Sequence, residues 1–407
     1  MRRIAEIWRR LGLPRQLAAT ALLAALLFAP VFFALRGGAR EAFDPNSNGG
    51  TPPFILVQDE DGREPPSLPE IAFPDWDDFA PEQFDGRPRS LLTGLPADEE
   101  TLARRPVAVV INNQFGAHPQ SGVAHADIVY QVLAEGATTR LVAVFQSEIP
   151  EKIGPIRSAR DYFVDFAFNH DAFFVHHGGS PSGNERVRNL LGRDAADGMR
   201  LEGTVFWRDR SFPAWAGIDG QRMLEHSSYT GWERLRAHIE AAGARASFGH
   251  EQGFAFGSVP PGREARVVTV PFSAQHTTVF VFDETTGDYL VEHPRGAWMD
   301  EYSVSQARVA NVLIQHVQMR VVDAEGRRAV DTVGRGSGYL ARGGYVYNVF
   351  WEKSGHTSPM RWYFEDGSPI VLAPGRTWVN VLQSNAEPLF AGPPVTPEME
   401  RGRPHVA

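Results

Sequence analysis

The sequence predicts an α+β protein: an amino-terminal α/β layered domain with a partly parallel sheet, then a mostly antiparallel β domain. Three observations carry this. Between about residues 91 and 255, strand-like runs alternate with amphipathic helical patterns, as in layered α/β folds. From about 260 onward, short β-branched and aromatic runs are separated by glycine-containing turn pairs, the mark of hairpins. The chain has 407 residues and is 43% hydrophobic, more than one ordinary core organises, so two domains with flanking segments are expected.

Taken in order, the first element is an anchor over residues 1–40. Arg2, Arg3, Arg9, Arg10 and Arg15 precede an uncharged run over 17–35. As a helix that run is roughly 28 Å long, close to one hydrocarbon core. The arginine excess before it places the amino terminus in the cytoplasm and the rest outside. A cleaved signal peptide is the alternative. Its apolar region is normally about 7–15 residues, shorter than this one, and Pro30 follows the best small-residue site, so an uncleaved single-pass anchor is preferred. Residues 41–90 follow as an acidic, proline-rich tether. Twelve acidic residues there face only Arg63, Arg87 and Arg89, which accounts for the whole net charge of −9. Like charges and prolines favour an extended chain. Phe73, Trp76, Phe79 and Phe84 leave open an ordered extension over a domain.

In the α/β domain, 107–111, 128–133 and 141–145 read as buried strands. Ser158 with Asp161 three residues on reads as a capping box opening a helix, since Ala159, Tyr162, Phe163, Phe166 and Ala167 then share one face. A strand at 172–175 and helices at 184–191 and 231–242 complete the domain. The β domain, 260–385, holds strands at 266–270, 277–282, 309–314, 319–322, 345–351, 361–364 and 378–382. Thr286-Gly287, Glu325-Gly326, Gly343-Gly344 and Asp366-Gly367 supply turns. Residues 386–407 read as a flexible tail.

Composition excludes several functions. There is no cysteine, so disulfides, thiolate metal sites, cysteine nucleophiles and a cysteine-linked lipid are all ruled out. Basic charge is almost wholly arginine, Lys152 and Lys353 being the only lysines. No basic face or tail marks a nucleic-acid binder. No metal-ligand spacing, nucleophile elbow or dinucleotide fingerprint occurs, so neither a cofactor nor a catalytic residue is named.

What chemistry there is gathers after residue 150, in Gly-Pro-Ile-Arg-Ser-Ala-Arg-Asp (154–161). If strand 141–145, the helix from 158 and strand 172–175 form a βαβ unit, Arg157, Arg160 and Asp161 sit at a helix mouth. Free N–H groups and the helix dipole favour an anion there. His176 and His177 would close the second strand and Asn112 and Asn113 a third, at the rim where open α/β sheets bind ligands. Arg140 joins the same ligand-binding set. Adjacent strand residues face opposite ways, so at most one histidine reaches the cleft and the pair is no metal site. The glycine-serine loop 178–183 could cradle an anion through its amides, or be a plain turn. The competing reading is structural: Arg157 and Arg160 paired with Asp127, Glu135 or Asp161.

Several stretches together resemble the YerB-like family of bacterial cell-envelope proteins, whose function is uncharacterised. They include Leu92-Thr93-Gly94-Leu95-Pro96, the run 105–113, Pro119-Gln120-Ser121-Gly122, the runs 126–130 and 154–162, and Gly178-Gly179-Ser180-Pro181. Gly334-Arg335-Gly336-Ser337-Gly338, Trp351-Glu352-Lys353 and Pro374-Gly375-Arg376-Thr377-Trp378 extend the likeness across residues 91–385. The resemblance implies an extracytoplasmic, membrane-attached protein and supplies no activity. Familiar members are often lipoproteins anchored through cysteine, which this chain lacks. The loop 215–228 also departs from the family's usual run while keeping His226 and Tyr229. The expected function is an envelope protein, single-pass in the bacterial cytoplasmic membrane, binding an anionic cell-wall precursor or a wall-synthesis protein through an arginine-lined cleft. Two alternatives stand beside it. One is a phosphotransferase or hydrolase acting on lipid-linked pyrophosphate, loosely similar to the LytR-CpsA-Psr enzymes, with Asp127 or Asp161 as base. The other is a ligandless scaffold.

Overall fold

The computed structural model describes residues 88–249 and 254–392. The proposed anchor and most of the tether lie outside these residues, as does the end of the tail. Among the described residues no helix is long and apolar enough to cross a membrane.

Thirteen strands frame the molecule in chain order: β1 (Val107–Asn112), β2 (Ile128–Leu133), β3 (Thr139–Phe145), β4 (Phe173–His176), β5 (Ala195–Asp197), β6 (Val267–Pro271), β7 (Thr277–Asp283), β8 (Asp288–His293), β9 (Asn311–Val317), β10 (Gly334–Arg342), β11 (Tyr345–Lys353), β12 (Arg361–Phe364) and β13 (Thr377–Gln383). Ten of these form one sheet in the order β12-β11-β10-β9-β13-β2-β3-β1-β4-β5, with Arg263–Glu264 pairing on β11 as an eleventh strand. Strands from both halves of the sequence therefore share one sheet. The pairs β1/β4, β4/β5, β2/β13 and β9/β13 are parallel, and the others along the order are antiparallel. The fold is α+β. Within the carboxyl-terminal half, β9 and β13 pair in parallel, as do the short segments Ala255–Phe256 and Val371–Leu372. Strands β9 and β13 are buried along almost their whole length, which is the condition under which parallel pairs occur.

A second, antiparallel sheet carries β6, β7 and β8, flanked by Gly296–Ala297 and Leu389–Ala391. The segment read as a flexible tail thus begins with a paired strand. Phe280 and Tyr289 of this sheet are buried, and Phe280 meets Trp378 of β13 edge-on at 6.0 Å. The expected turns are present, with Gly343 and Gly344 at φ of +57° and +82° closing β10 onto β11. Only glycine takes two successive positive φ values without steric cost.

Two local expectations are corrected. The anticipated βαβ unit does not form from strand 141–145. The β2–β3 hairpin reverses the chain, so β3 runs antiparallel to β1 while β1 and β4 run parallel. The carboxyl end of β3 consequently lies at the far edge, and residues 146–160 carry the chain back. On the way they line the end of β1: Asn112 N–H donates to Pro155 O (2.8 Å) and Arg157 N–H to Val110 O (2.9 Å). Nor does Ser158 cap the helix. Helix α1 spans Asp161–Phe168 with Arg160 at its N-cap and no side-chain cap bond. The Ser158 carbonyl instead accepts from Arg140. Tyr162, Phe163, Phe166 and Ala167 are buried, as their spacing requires. Helix α2 (Pro181–Arg186) is capped by Ser180, and α3 (Trp232–Ala241) follows Gly231.

Candidate functional site

The carboxyl ends of β1 and β4 and the amino end of β3 form one rim. Asn112 lies directly opposite Arg140 in the β1/β3 register. Successive strand residues point to opposite faces, so Asn112 and Arg140 share one face while Asn113 belongs to the other.

On the first face, Asn112 Nδ2 donates to His226 Nδ1 at 2.7 Å. Arg140 is buried and donates to Ser158 O (2.9 Å) and Glu135 Oε2 (2.6 Å). Burial holds its guanidinium down at about 9, and the like charge of Arg157 pushes the same way. Arg157 is only partly covered. Its nearest carboxylate is the exposed Glu225, 3.6 Å away, and its Nε is buried with no partner. Arg160 does not join Arg157 in a clamp. It is buried, ion-paired to Glu135 and donating to its own neighbour's carbonyl at Ala159, with Nε unpartnered. Glu135 is thus shared by two guanidiniums. Asp161 opens α1 and favours the charge of Arg160.

His177 also reaches this face. Arg208 Nη2 donates to its Nε2 (3.0 Å), which leaves Nδ1 to donate to Ser228 Oγ (2.9 Å). Burial, then Arg208, lowers its basicity. His176 turns inward, its Nδ1 donating to Gly178 O at 2.8 Å and its ring stacked on Phe174. The segment 226–228 is therefore held by Asn112 and His177, and by Ile156 N–H donating to Ser228 O (2.6 Å). Gly154 is needed for that approach: its φ is +149°, and a Cβ there would lie 2.7 Å from Ser228 O.

On the second face, Asn113 Nδ2 donates to Thr139 Oγ1 (2.7 Å), and its Oδ1 accepts from Gln120 Nε2 (2.8 Å). The ladder continues from Gln131 Nε2 to the same Thr139 hydroxyl, while Gln131 Oε1 accepts from Trp378 Nε1 and Thr278 Oγ1. These bonds cement the two sheets. At the ladder's edge His118 bonds Asn113 Oδ1 (3.0 Å) and meets His293 edge-on at 4.8 Å. His276 stacks on Phe115 at 5.4 Å, with Arg295 over the same ring.

Sequence reasoning grouped Arg157, Arg140, Asn112 and His177 in one candidate set, named Glu135 as an ion-pair partner for the arginines and read 226–230 as a loop bordering the cleft; it did not name Glu225. Glu135-Gly136 and His226 were visible, but only the hairpin reversal brings them to the rim. The loop 178–183 offers little to a ligand: Gly178 N–H goes to Asp197, Ser180 N–H to Ala159 O and Gly183 N–H to Ser180 Oγ. Asp127 is buried at the opposite end of the sheet, where its Oδ2 accepts from the backbone N–H groups of Gln146 and Ser147. A separate pocket lies beyond the far end of α1, lined by Leu92, Asn169, His170, Phe254, Met360 and Trp362.

Comparison with known proteins follows this geometry. Residues 92–245 match the family model described as the N-terminal domain of a protein of unknown function (DUF3048), and residues 268–379 match its C-terminal domain. A Bacillus subtilis (strain 168) protein named "Putative lipoprotein YerB" is 33% identical over 299 residues, which is 72% of this chain and 85% of that one. The crystal structure of the YerB protein from Bacillus subtilis superposes with a TM-score of 0.65 at 31% identity, covering 74% of this chain and 99% of the other. The chain belongs to this YerB-like family.

Proposed function

We propose that this protein is an exported, membrane-attached envelope protein that binds an anionic, wall-related ligand at the sheet rim through Arg157 and Arg140. The lipoprotein name of its relative and the apolar run at 17–35 support attachment; with no cysteine, the run replaces a lipid. The observation that carries the binding reading is a charge imbalance. Three guanidiniums, Arg140, Arg157 and Arg160, have one directly bonded carboxylate between them, Glu135; Glu225 stands 3.6 Å from Arg157, and Asp161 and Asp323 act on Arg160 only through space. Burial weakens the charge on Arg140 most, and Arg157 adds like-charge repulsion to it. A bound anion relieves that repulsion, and a guanidinium fork suits phosphate or carboxylate. The site moves by one arginine from the pair suggested by sequence, because Arg140 rather than Arg160 is the guanidinium that feels the charge of Arg157.

The phosphotransferase reading has less behind it. Asp127 serves as a backbone cap far from the rim, leaving Asp161 as the remaining carboxylate. The test is a titration of the full-length protein with inorganic pyrophosphate and with a diphosphate-bearing wall precursor, by calorimetry. Wild type binds, and Arg157→Ala loses roughly tenfold, the worth of one charge-assisted hydrogen bond. Equal affinities, or no binding to either protein, would remove the anion site. Phosphate release that stops in Asp161→Asn would turn the reading toward catalysis.

A further inference from the structure

We propose that the loop spanning residues 211–224 is a lipid-facing element that rests its tip in the surface of a bilayer. Its base is rigid. Arg222 N–H donates to Arg210 O (2.7 Å), Arg210 Nε donates back to Arg222 O (2.8 Å), and Arg222 Nη1 reaches Ser211 O (2.5 Å). The buried Arg222 guanidinium is further held by Pro119 O (2.8 Å) and Glu301 (3.0 Å), and lies over the ring of Phe212. Compact loops with pinned ends and outward tips are frequently functional.

The tip is what needs an explanation. Trp215 is 43% exposed, Ile218 46%, Met223 62% and Leu224 60%. Four large apolar side chains thus face outward within ten residues, and Asp219 is the one exposed charge on the loop. Met199, 68% exposed, is a further outward-facing apolar side chain: it packs near Gly178, whose neighbour His177 is bonded to Arg208, and Arg208 Nη1 donates to Leu224 O. Scattered exposed apolar residues need no account, whereas a cluster of this kind marks an interaction surface. Tryptophan with aliphatic neighbours suits the boundary between headgroups and acyl chains.

The occupant follows from the chain itself. This inference rests on membrane attachment, and is independent of the anion site. The uncharged run at 17–35 lies outside the described residues, and about fifty residues join it to Pro88. An acidic, proline-rich tether of that length reaches at most about 160 Å, so it confines the folded part to the neighbourhood of the bilayer that holds the run while leaving the loop free to touch it. A spanning run holds the chain at the bilayer, and a second, weaker contact orients the folded part on it.

The absence of cysteine makes the test clean. Full-length protein carrying Ile218→Cys, labelled with an environment-sensitive fluorophore, is reconstituted into phosphatidylethanolamine–phosphatidylglycerol vesicles. Leu389→Cys, on the edge strand of the second sheet and 67% exposed, is the reference. The label at 218 should be quenched several-fold more by doxyl-labelled lipid than by aqueous iodide, and the label at 389 the reverse. Protein that attaches to vesicles while 218 behaves like 389, or is shielded from both quenchers as in a protein contact, overturns the inference and leaves attachment standing. Protein that does not float with vesicles removes both.

Discussion

Two charged clusters flank helix α1, and they are built differently. Toward its carboxyl end Asp165 is buried with every oxygen used: Oδ1 accepts from Arg186 (2.8 Å), and Oδ2 from the Thr332 hydroxyl and His356 Nδ1 (2.9 Å). Lys353 beside it donates to Asn169 Oδ1 (2.7 Å), Asp165 O (3.4 Å) and Ser358 O, with burial pulling its amine down to about 8. At the amino end three guanidiniums share one directly bonded carboxylate, Glu135, and Nε of both Arg157 and Arg160 lacks a partner. A buried charge with all its hydrogen bonds made holds structure together, here joining the two halves of the sequence. One left short of counter-charge at a rim is where a ligand gains most. The contrast is one that residue type alone does not show, and the proposed site rests on it.

The comparison breaks first if Asp165 can be removed cheaply. Asp165→Ala leaves Arg186 without its carboxylate and Lys353 without a neighbouring negative charge, and should cost about 3–5 kcal/mol, read from urea unfolding. A loss under 1 kcal/mol would mean that the network is ornamental. Glu135→Gln should cost less, about 1–3 kcal/mol, because Glu135 is partly solvated. Added pyrophosphate should recover part of that loss; if it recovers none, the rim is not an anion site.

Acid sharpens a further contrast, at the second face of β1. His118, His276 and His293 are all shifted below the usual imidazole range, chiefly by burial; for His118 the other two rings and Arg295 add to the shift. A base with a lowered folded pKa binds fewer protons than its unfolded counterpart. Stability is therefore intact above about pH 6.5 and falls as the pH drops below it. Melting temperature measured from pH 7 to pH 5 should decline, and His118→Gln should flatten the decline. An unchanged slope in that variant would clear His118 of the effect. Smallest of all should be the stability effect of Arg157→Ala, within about 0.5 kcal/mol, since its side chain is partly solvated and its ion pair is long. That substitution must cost ligand and not fold.

Much of the fold was legible in the chain. Strands such as Val107–Asn112 announced themselves because side chains buried on both faces must be apolar throughout. Helix α1 showed its buried face through Tyr162, Phe163 and Phe166. The capping box failed because Ser158 lies two residues before the helix N-cap, where only its carbonyl is engaged, by Arg140. The site was half legible. Arg157 could be placed at a strand end, but its nearest carboxylate, Glu225, lies 68 residues after it, and Glu135, which binds Arg140 and Arg160 instead, lies 22 before it.

Local periodicity, turn chemistry and composition were enough to determine an α+β chain with its turns, its α1 face and its freedom from thiol chemistry, since each depends on neighbours a few residues apart. Strand direction was decided only in three dimensions, because a hairpin at residues 134–138 reverses β3 without changing its pattern. The same holds for the sharing of one sheet by both halves, and for which arginine keeps a spare charge. Counter-charges reach a guanidinium through space, so the distribution of Glu135 between Arg140 and Arg160 is a property of the packed rim.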